Sequence, residues 1–202
     1  MVPTKEEFFS ALEFRHGREN QRRFAEATVA ICGLGGLGSN IAICLARAGI
    51  GKLILIDFDV VDVSNLHRQQ YKANQVGMYK TEALKENLLE INPYITAESH
   101  TVRMTEDNAA KLVAEADVVC EAFDKAECKA MVVNAVLTDF NDKIIVSGSG
   151  MAGFSSANDI NTKKLSKRFY LCGDGVSDVN DGIGLIASRV MVCAAHEAHM
   201  LL

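Results

Sequence analysis

Apolar and polar positions follow two rhythms along this chain, and the rhythm switches repeatedly between them. Residues 4–27, which include RHGRENQRRF, predict one or two charged helices. TVAIC, residues 28–32, is a short β-rich run and predicts a strand. GLGGLG follows, and then SNIAICLARAGI, whose apolar residues recur at helical spacing. Gly49 and Gly51 end that helix, and KLILIDFD predicts a second buried strand. Residues 28–57 therefore read as a strand–turn–helix–strand unit.

Residues 60–80 are polar and irregular. TEALKENLLEINP predicts an amphipathic helix stopped by Pro93. ITAESHTVR, DVVCEAF and KIIVSGS then predict strands, separated by the helices EDNAAKLVAEA and KAECKAMVVNAVLTDF. This alternation predicts an α/β, Rossmann-like fold: a mainly parallel sheet with helices on both faces. Residues 150–182 break the pattern, being rich in Gly, Asn, Asp and Ser, with room for a short strand at KRFYLC. A polar connection this long inside a compact domain points to function. An apolar helix, GIGLIASRVMVCAAHEAHMLL, closes the chain, so residues 1–202 read as a single domain.

Composition narrows the class. The chain has 202 residues, enough for one domain with a real core, and 49% of them are hydrophobic. Its net charge of −5 argues against nucleic acid as the main partner, since phosphate-tracking proteins carry a basic stripe. No uninterrupted apolar segment is long enough to cross a bilayer, and MVPTKEEFFS is not a signal peptide. No membrane association and a cytoplasmic location are expected. The six cysteines include no CxxC pair, so zinc is not expected. Cys32, Cys44, Cys120 and Cys193 lie in apolar runs and read as small hydrophobes.

GLGGLGSN carries the candidate chemistry. Gly33, Gly35, Gly36 and Gly38 suit a tight turn that lets backbone approach a phosphate, with the next helix presenting free N–H groups. Asp57, ending the second strand, stands where a carboxylate accepts hydrogen bonds from a ribose. This much fits NAD as well as ATP, and an NAD-dependent oxidoreductase is the competing reading. DFDVVDVSNLHRQ then sets Asp59, Asn65, Arg68 and Gln69 just beyond that strand, with Lys80 following. So many polar and cationic groups suit a nucleoside triphosphate, whose charge must be offset. Asp124, after DVVCEAF, is a candidate Mg²⁺ ligand.

Taken together, GLGGLGSN, AGIGKLILIDFDVVDVSNLHRQ, the Lys80 region and the Asp124 strand end resemble the ThiF/MoeB/HesA family, adenylyltransferases related to ubiquitin-activating enzymes. The resemblance spans roughly residues 15–202 and is strongest to short ThiF members. It implies ATP·Mg²⁺-dependent adenylation of the C-terminal glycine of a ubiquitin-like carrier. That carrier would be ThiS-like, in thiamine biosynthesis, with a MoaD-like carrier as the alternative. By the resemblance Gly35 and its neighbours cradle phosphate and Asp57 holds the ribose. Asn65, Arg68 and Lys80 contact the phosphates, and Asp124 binds Mg²⁺. An N-terminal arginine, Arg18 or alternatively Arg15, reaches the partner's site in a homodimer. Residues 150–182 would be a crossover loop in which Cys172 joins the carrier covalently.

Taken singly, several of these residues have plainer readings. Arg15 and Arg18 fit a solvated helix face, Asp59 a loop cap and Lys80 a surface lysine. Asp124 fits a helix cap and Cys172 an incidental thiol. The chain also lacks the paired CxxC motifs of many relatives and ends at the helix after the crossover, so a smaller carrier-docking surface is expected.

Overall fold

The computed structural model describes residues 2–202. Two helices open it, α1 (Lys5–His16) and α2 (Arg18–Glu26), broken at Gly17, whose φ of +81° suits glycine. Thr4 and Glu7 form a reciprocal capping box at the start of α1. Strand β1 (Thr28–Cys32), helix α3 (Gly36–Ala48) and strand β2 (Lys52–Asp57) follow as expected. Then come α4 (Lys80–Ile91), β3 (Thr96–Thr101), α5 (Glu106–Leu112), β4 (Val118–Glu121), α6 (Ala126–Asp139) and β5 (Ile144–Gly148). The chain ends with β6 (Asn161–Lys164), β7 (Phe169–Gly173) and α7 (Ala187–Leu201).

The strands form one seven-stranded sheet in the order β3-β2-β1-β4-β5-β7-β6, parallel except for β6. Alternate residues feed two cores. Val29, Ile31, Leu53, Leu55 and Val146 pack with Leu37, Ile41 and Leu45 of α3, Leu84 and Leu88 of α4, and Val190 and Ala194 of α7. Ala30, Cys32, Ile54, Ile56, Val119 and Ile145 pack on the other face with Ala109 of α5 and Val132 and Val136 of α6. Burial on both faces is why β1, β2, β4 and β5 read as nearly continuous apolar runs. The order reverses between β1 and β4, so the loops after these strands diverge and leave a crevice at the strands' C-terminal ends.

One segment differs from the expectation. Residues 150–182 contain two strands rather than room for one, and β7 extends the parallel sheet beside β5 while β6 pairs antiparallel at the edge. The sequence NTKK of β6 has no apolar alternation because an edge strand is largely solvated. Among the described residues, no helix is long and apolar enough to cross a membrane.

Candidate functional site

The site grows from the turn between β1 and α3. Gly33 has φ of +93°, and a Cβ there would stand 2.9 Å from the Ala122 carbonyl oxygen. A Cβ on Gly38 would collide with the Gly33 carbonyl, so this turn closes only with glycine at both positions. Helix α3 has Gly35 as its N-cap and no side-chain cap. Its first backbone bond runs from Ser39 N to the Gly35 carbonyl at 3.1 Å, leaving the N–H groups of Gly36, Leu37 and Gly38 for an anion.

A strap formed by residues 68–71 laces this turn in place. Asn40 Nδ2 donates to the Gly36 carbonyl at 2.7 Å and to the Arg68 carbonyl at 3.0 Å. Gln70 donates from Nε2 to Asn40 Oδ1 at 2.7 Å and from its backbone N to Ser39 Oγ at 3.1 Å. Tyr71 Oη donates to the Leu34 carbonyl at 2.7 Å. None of Ser39, Asn40, Gln70 and Tyr71 was among the expected site residues. Ser39 and Asn40 carried a signal, as polar side chains inside an otherwise apolar helix, whereas Gln70 and Tyr71 meet the turn only through the fold.

The strap also aims its charged members at the turn. The Arg68 side chain packs against Gly36, and its Nε is buried without a protein partner. Burial holds the guanidinium below its ordinary value, while the nearby Asp124 charge raises it. The Gln69 amide lies over Gly35, with Oε1 buried and likewise unpartnered. Asn65 is tied locally, its Oδ1 accepting the Asp62 N–H at 3.1 Å in a short 3₁₀ turn at Val63–Asn65.

Residues 60–79 form a loop whose ends meet. Val61 N donates to the Met78 carbonyl at 2.8 Å, and Lys80 N donates to the Asp59 carbonyl at 2.9 Å. This closure brings Lys80, the first residue of α4, back to the end of β2. Its side chain is only 8% exposed and pairs with Asp59 Oδ2 at 3.1 Å, so Lys80 is not a surface lysine. Asp57 accepts N–H bonds from Leu34 at 2.7 Å and Asp59 at 2.8 Å, which pins the glycine turn to the strand end. Burial pushes its carboxyl above the ordinary value, against the pull of those donors and of Lys80.

Across the crevice, β4 ends at Glu121, a fully buried carboxylate paired with Lys129 at 3.1 Å. It accepts the Phe123 N–H at 2.7 Å and so shapes the bend carrying exposed Asp124 towards Arg68. The structure therefore brings Gly33, Gly35, Gly36, Gly38, Asp57, Asp59, Arg68, Gln69, Lys80 and Asp124 around one crevice. Asp124 offers one open carboxylate, a donor set that fits a Mg²⁺ ion held mainly by phosphate and water.

Three expected residues lie elsewhere. Arg18, 89% exposed beside Glu13, begins α2. That helix packs at the opposite ends of the strands, where Gly51 N bonds the Phe24 carbonyl and Gln21 reaches Gly49. Arg15 sits on exposed α1, over the Phe14 ring at 5.6 Å. Neither belongs to this chain's own crevice. Cys172 is in strand β7 rather than in a loop, and it is fully buried. Its sulfur lies 3.4 Å from Thr162 Oγ1, which also meets His196 Nδ1 at 3.1 Å. Burial pushes the thiol up to about 11, which disfavours the thiolate that nucleophilic attack needs.

A model of the ThiF family matches residues 10–183. The chain is 33% identical over 134 residues to adenylyltransferase and sulfurtransferase UBA4 of Scheffersomyces stipitis, covering 66% of this chain and 30% of that protein. It is 37% identical over 137 residues to ubiquitin-like modifier-activating enzyme 5 of Caenorhabditis elegans, covering 62% and 32%. The chain thus spans about a third of the length of these relatives. Among solved structures, E. coli tRNA N6-threonylcarbamoyladenosine dehydratase, TcdA, in complex with ATP, superposes with a TM-score of 0.85 at 23% identity. That match covers 100% of this chain and 97% of the other. E. coli MccB matches with a TM-score of 0.71 at 24% identity, covering 99% and 65%. At these identities the structural likeness speaks for the fold.

Proposed function

The chain belongs to the ThiF family, and from that premise we propose that it is an ATP-dependent adenylyltransferase. Its substrate is the C-terminal glycine carboxylate of a ubiquitin-like, ThiS-like sulfur carrier, in thiamine biosynthesis. The single observation that supports this most is the strap. It sets a half-buried Arg68, its Nε buried and unpartnered, against the uncapped start of α3, across from the nearly buried Lys80. An NAD site, whose pyrophosphate is cradled by backbone, has no use for both cations.

In the proposed reaction a carboxylate oxygen attacks the α-phosphorus of ATP. A bond forms from that oxygen to phosphorus, and the bond from phosphorus to the bridging oxygen breaks. Pyrophosphate leaves with the bond's electron pair, and the product is an acyl adenylate. The protein's part is positioning and charge stabilisation. The N–H groups of Gly36, Leu37 and Gly38 cradle phosphate, and Asp57 faces the ribose with the lone pairs that Leu34 and Asp59 leave free. Arg68 and Lys80 stabilise the charge that develops on the phosphoryl oxygens, Asn65 and Gln69 complete the pocket wall, and Asp59 holds Lys80 in place. Asp124 is the residue that would hold Mg²⁺, which when bound neutralises phosphate charge. Arg18, or alternatively Arg15, would act across a homodimer, a reading compatible with the place of both away from their own crevice.

ATP–pyrophosphate exchange tests the reading. Exchange that requires Mg²⁺ and a ThiS-like carrier ending in Gly-Gly is expected. Exchange with a MoaD-like carrier alone would move the substrate, and NAD(H) binding without exchange on any carrier would overturn the reading.

A further inference from the structure

Glu121 is the last residue of β4, and its side chain has no exposure to solvent. Its carboxylate ties β4 to the bend that follows, to β5 and to α6. Oε1 accepts the Phe123 N–H at 2.7 Å, and Oε2 accepts the Ser147 hydroxyl of β5 at 2.5 Å. Lys129 of α6 donates to Oε1 at 3.4 Å and to Oε2 at 3.1 Å. A buried ion pair of this kind adds little net stability, because desolvating both charges offsets their attraction. What such a network does is fix the groups it joins in one arrangement.

The bend that Glu121 holds also leans on the phosphate turn. Ala122 N donates to the Cys32 carbonyl at 2.8 Å, and a Cβ on Gly33 would stand 3.0 Å from Phe123 Cδ1. Asp124 follows directly and is exposed. Burial lowers the Arg68 guanidinium and the Asp124 charge raises it, so the two side chains are neighbours. Arg68 Nε is buried without an acceptor. Among the described residues, however, Asp124 joins no ion pair. A carboxylate and an unmatched guanidinium N–H this near attract each other and form strong bonds when they can meet. The position of the bend keeps them apart.

We propose that Glu121, with Lys129 and Ser147, is a positioning residue that holds Asp124 away from Arg68, so that both charges stay open to a nucleotide. The proposal rests on the ATP reading of the crevice. Without the anchor the bend relaxes, Asp124 closes on Arg68, and each charge quenches the other. Arg68 then no longer meets phosphate.

Two matched double variants of the full chain test this. Glu121→Leu with Lys129→Met removes both charges and the acceptor of the Phe123 N–H. Glu121→Gln with Lys129→Met removes the same charges but keeps an acceptor in its amide oxygen. Apolar replacement of a buried ion pair is often neutral or stabilising, so both variants are expected to fold. The readout is ATP affinity by calorimetry in EDTA, without Mg²⁺ or a carrier. The leucine variant is expected to bind ATP about tenfold or more weakly than the parent, and the glutamine variant within about twofold of it. Adding Asp124→Asn to the leucine variant should restore the affinity, because Arg68 is then released. A purely structural defect would not be relieved by a further substitution.

Equal ATP affinity in the two double variants, or no recovery on adding Asp124→Asn, would overturn the anchor and leave the nucleotide site standing. Absence of ATP binding to the parent would overturn the adenylation reading itself. Hydrogen exchange on the unaltered protein keeps the test decisive if the leucine variant misfolds. The Phe123 amide is expected to exchange as slowly as the amides of β4, and exchange at the rate of an exposed loop would overturn the anchor.

Discussion

Asn40, inside α3, donates a 3.0 Å hydrogen bond to the backbone carbonyl of Arg68, twenty-eight residues further along the chain. The same amide holds the Gly36 carbonyl, so one buried side chain fixes the strap and the phosphate turn relative to each other. Replacing it with leucine keeps the volume but leaves the Arg68 carbonyl and the Gln70 side-chain amide without their partners. Asn40→Leu should cost about 1–3 kcal/mol in urea unfolding and weaken ATP binding. Unchanged ATP affinity would show that the strap does not set the turn.

Lys80 is buried beside a half-exposed Asp59. Lys80→Met should lower ATP–pyrophosphate exchange by about a hundredfold or more through lost charge stabilisation. Stability should change little, because Asp59 can then turn to water. A variant with near-normal exchange would remove Lys80 from the machinery.

Asp124 stands on an exposed bend with an open carboxylate. Asp124→Asn should raise the Mg²⁺ concentration needed for half-maximal exchange several-fold, with metal-free ATP binding preserved. Identical Mg²⁺ titrations in the two proteins would argue that the ion is held without it.

Arg18 lies at the far end of the sheet from its own crevice. Arg18→Ala and Arg68→Ala should each abolish exchange alone, and a mixture of the two should recover part of it through mixed dimers. Absence of recovery under conditions where subunits exchange would refute an arginine acting in trans.

Glu197, on α7, is fully buried, with the thiols of Cys120 and Cys193 each at 3.8 Å. Burial pushes its carboxyl from 4.5 up to about 8, with Glu121 adding to the rise and Lys129 opposing it. The folded protein therefore holds this proton more tightly than the unfolded chain. The group's contribution is fully present below 4.5 and is lost as pH rises towards 8, with a limiting slope of about 1.4 kcal/mol per pH unit. Glu197→Gln should gain stability relative to the parent across that window. Parallel stability–pH curves for the two proteins would contradict the assignment.

Much of this protein is written locally. The β1–turn–α3–β2 unit was legible because strand burial, glycine geometry and helical periodicity are properties of neighbouring residues. Gly33 and Gly38 need no distant information to be required where they are. The phosphate-facing candidates Asp57, Arg68 and Lys80 were legible too, because the C-terminal end of a parallel strand is where ligands bind. The sheet edge was not, since β6 owes its strand to pairing with β7 rather than to any pattern of its own.

What tertiary structure alone decided is which side chains lose water. Nothing adjacent in sequence announces that Lys80 is buried, that Cys172 is enclosed in a strand, or that Glu197 sits among thiols. Arg189 meets Asp174 from fifteen residues away, across the end of β7 and the start of α7. Burial and partnership are sums over segments brought together by the fold, and they set pKa, unmatched donors and access. Sequence by itself determined the layered fold and gathered the candidate residues at one strand end, and packing decided which of them lose water and which stay open.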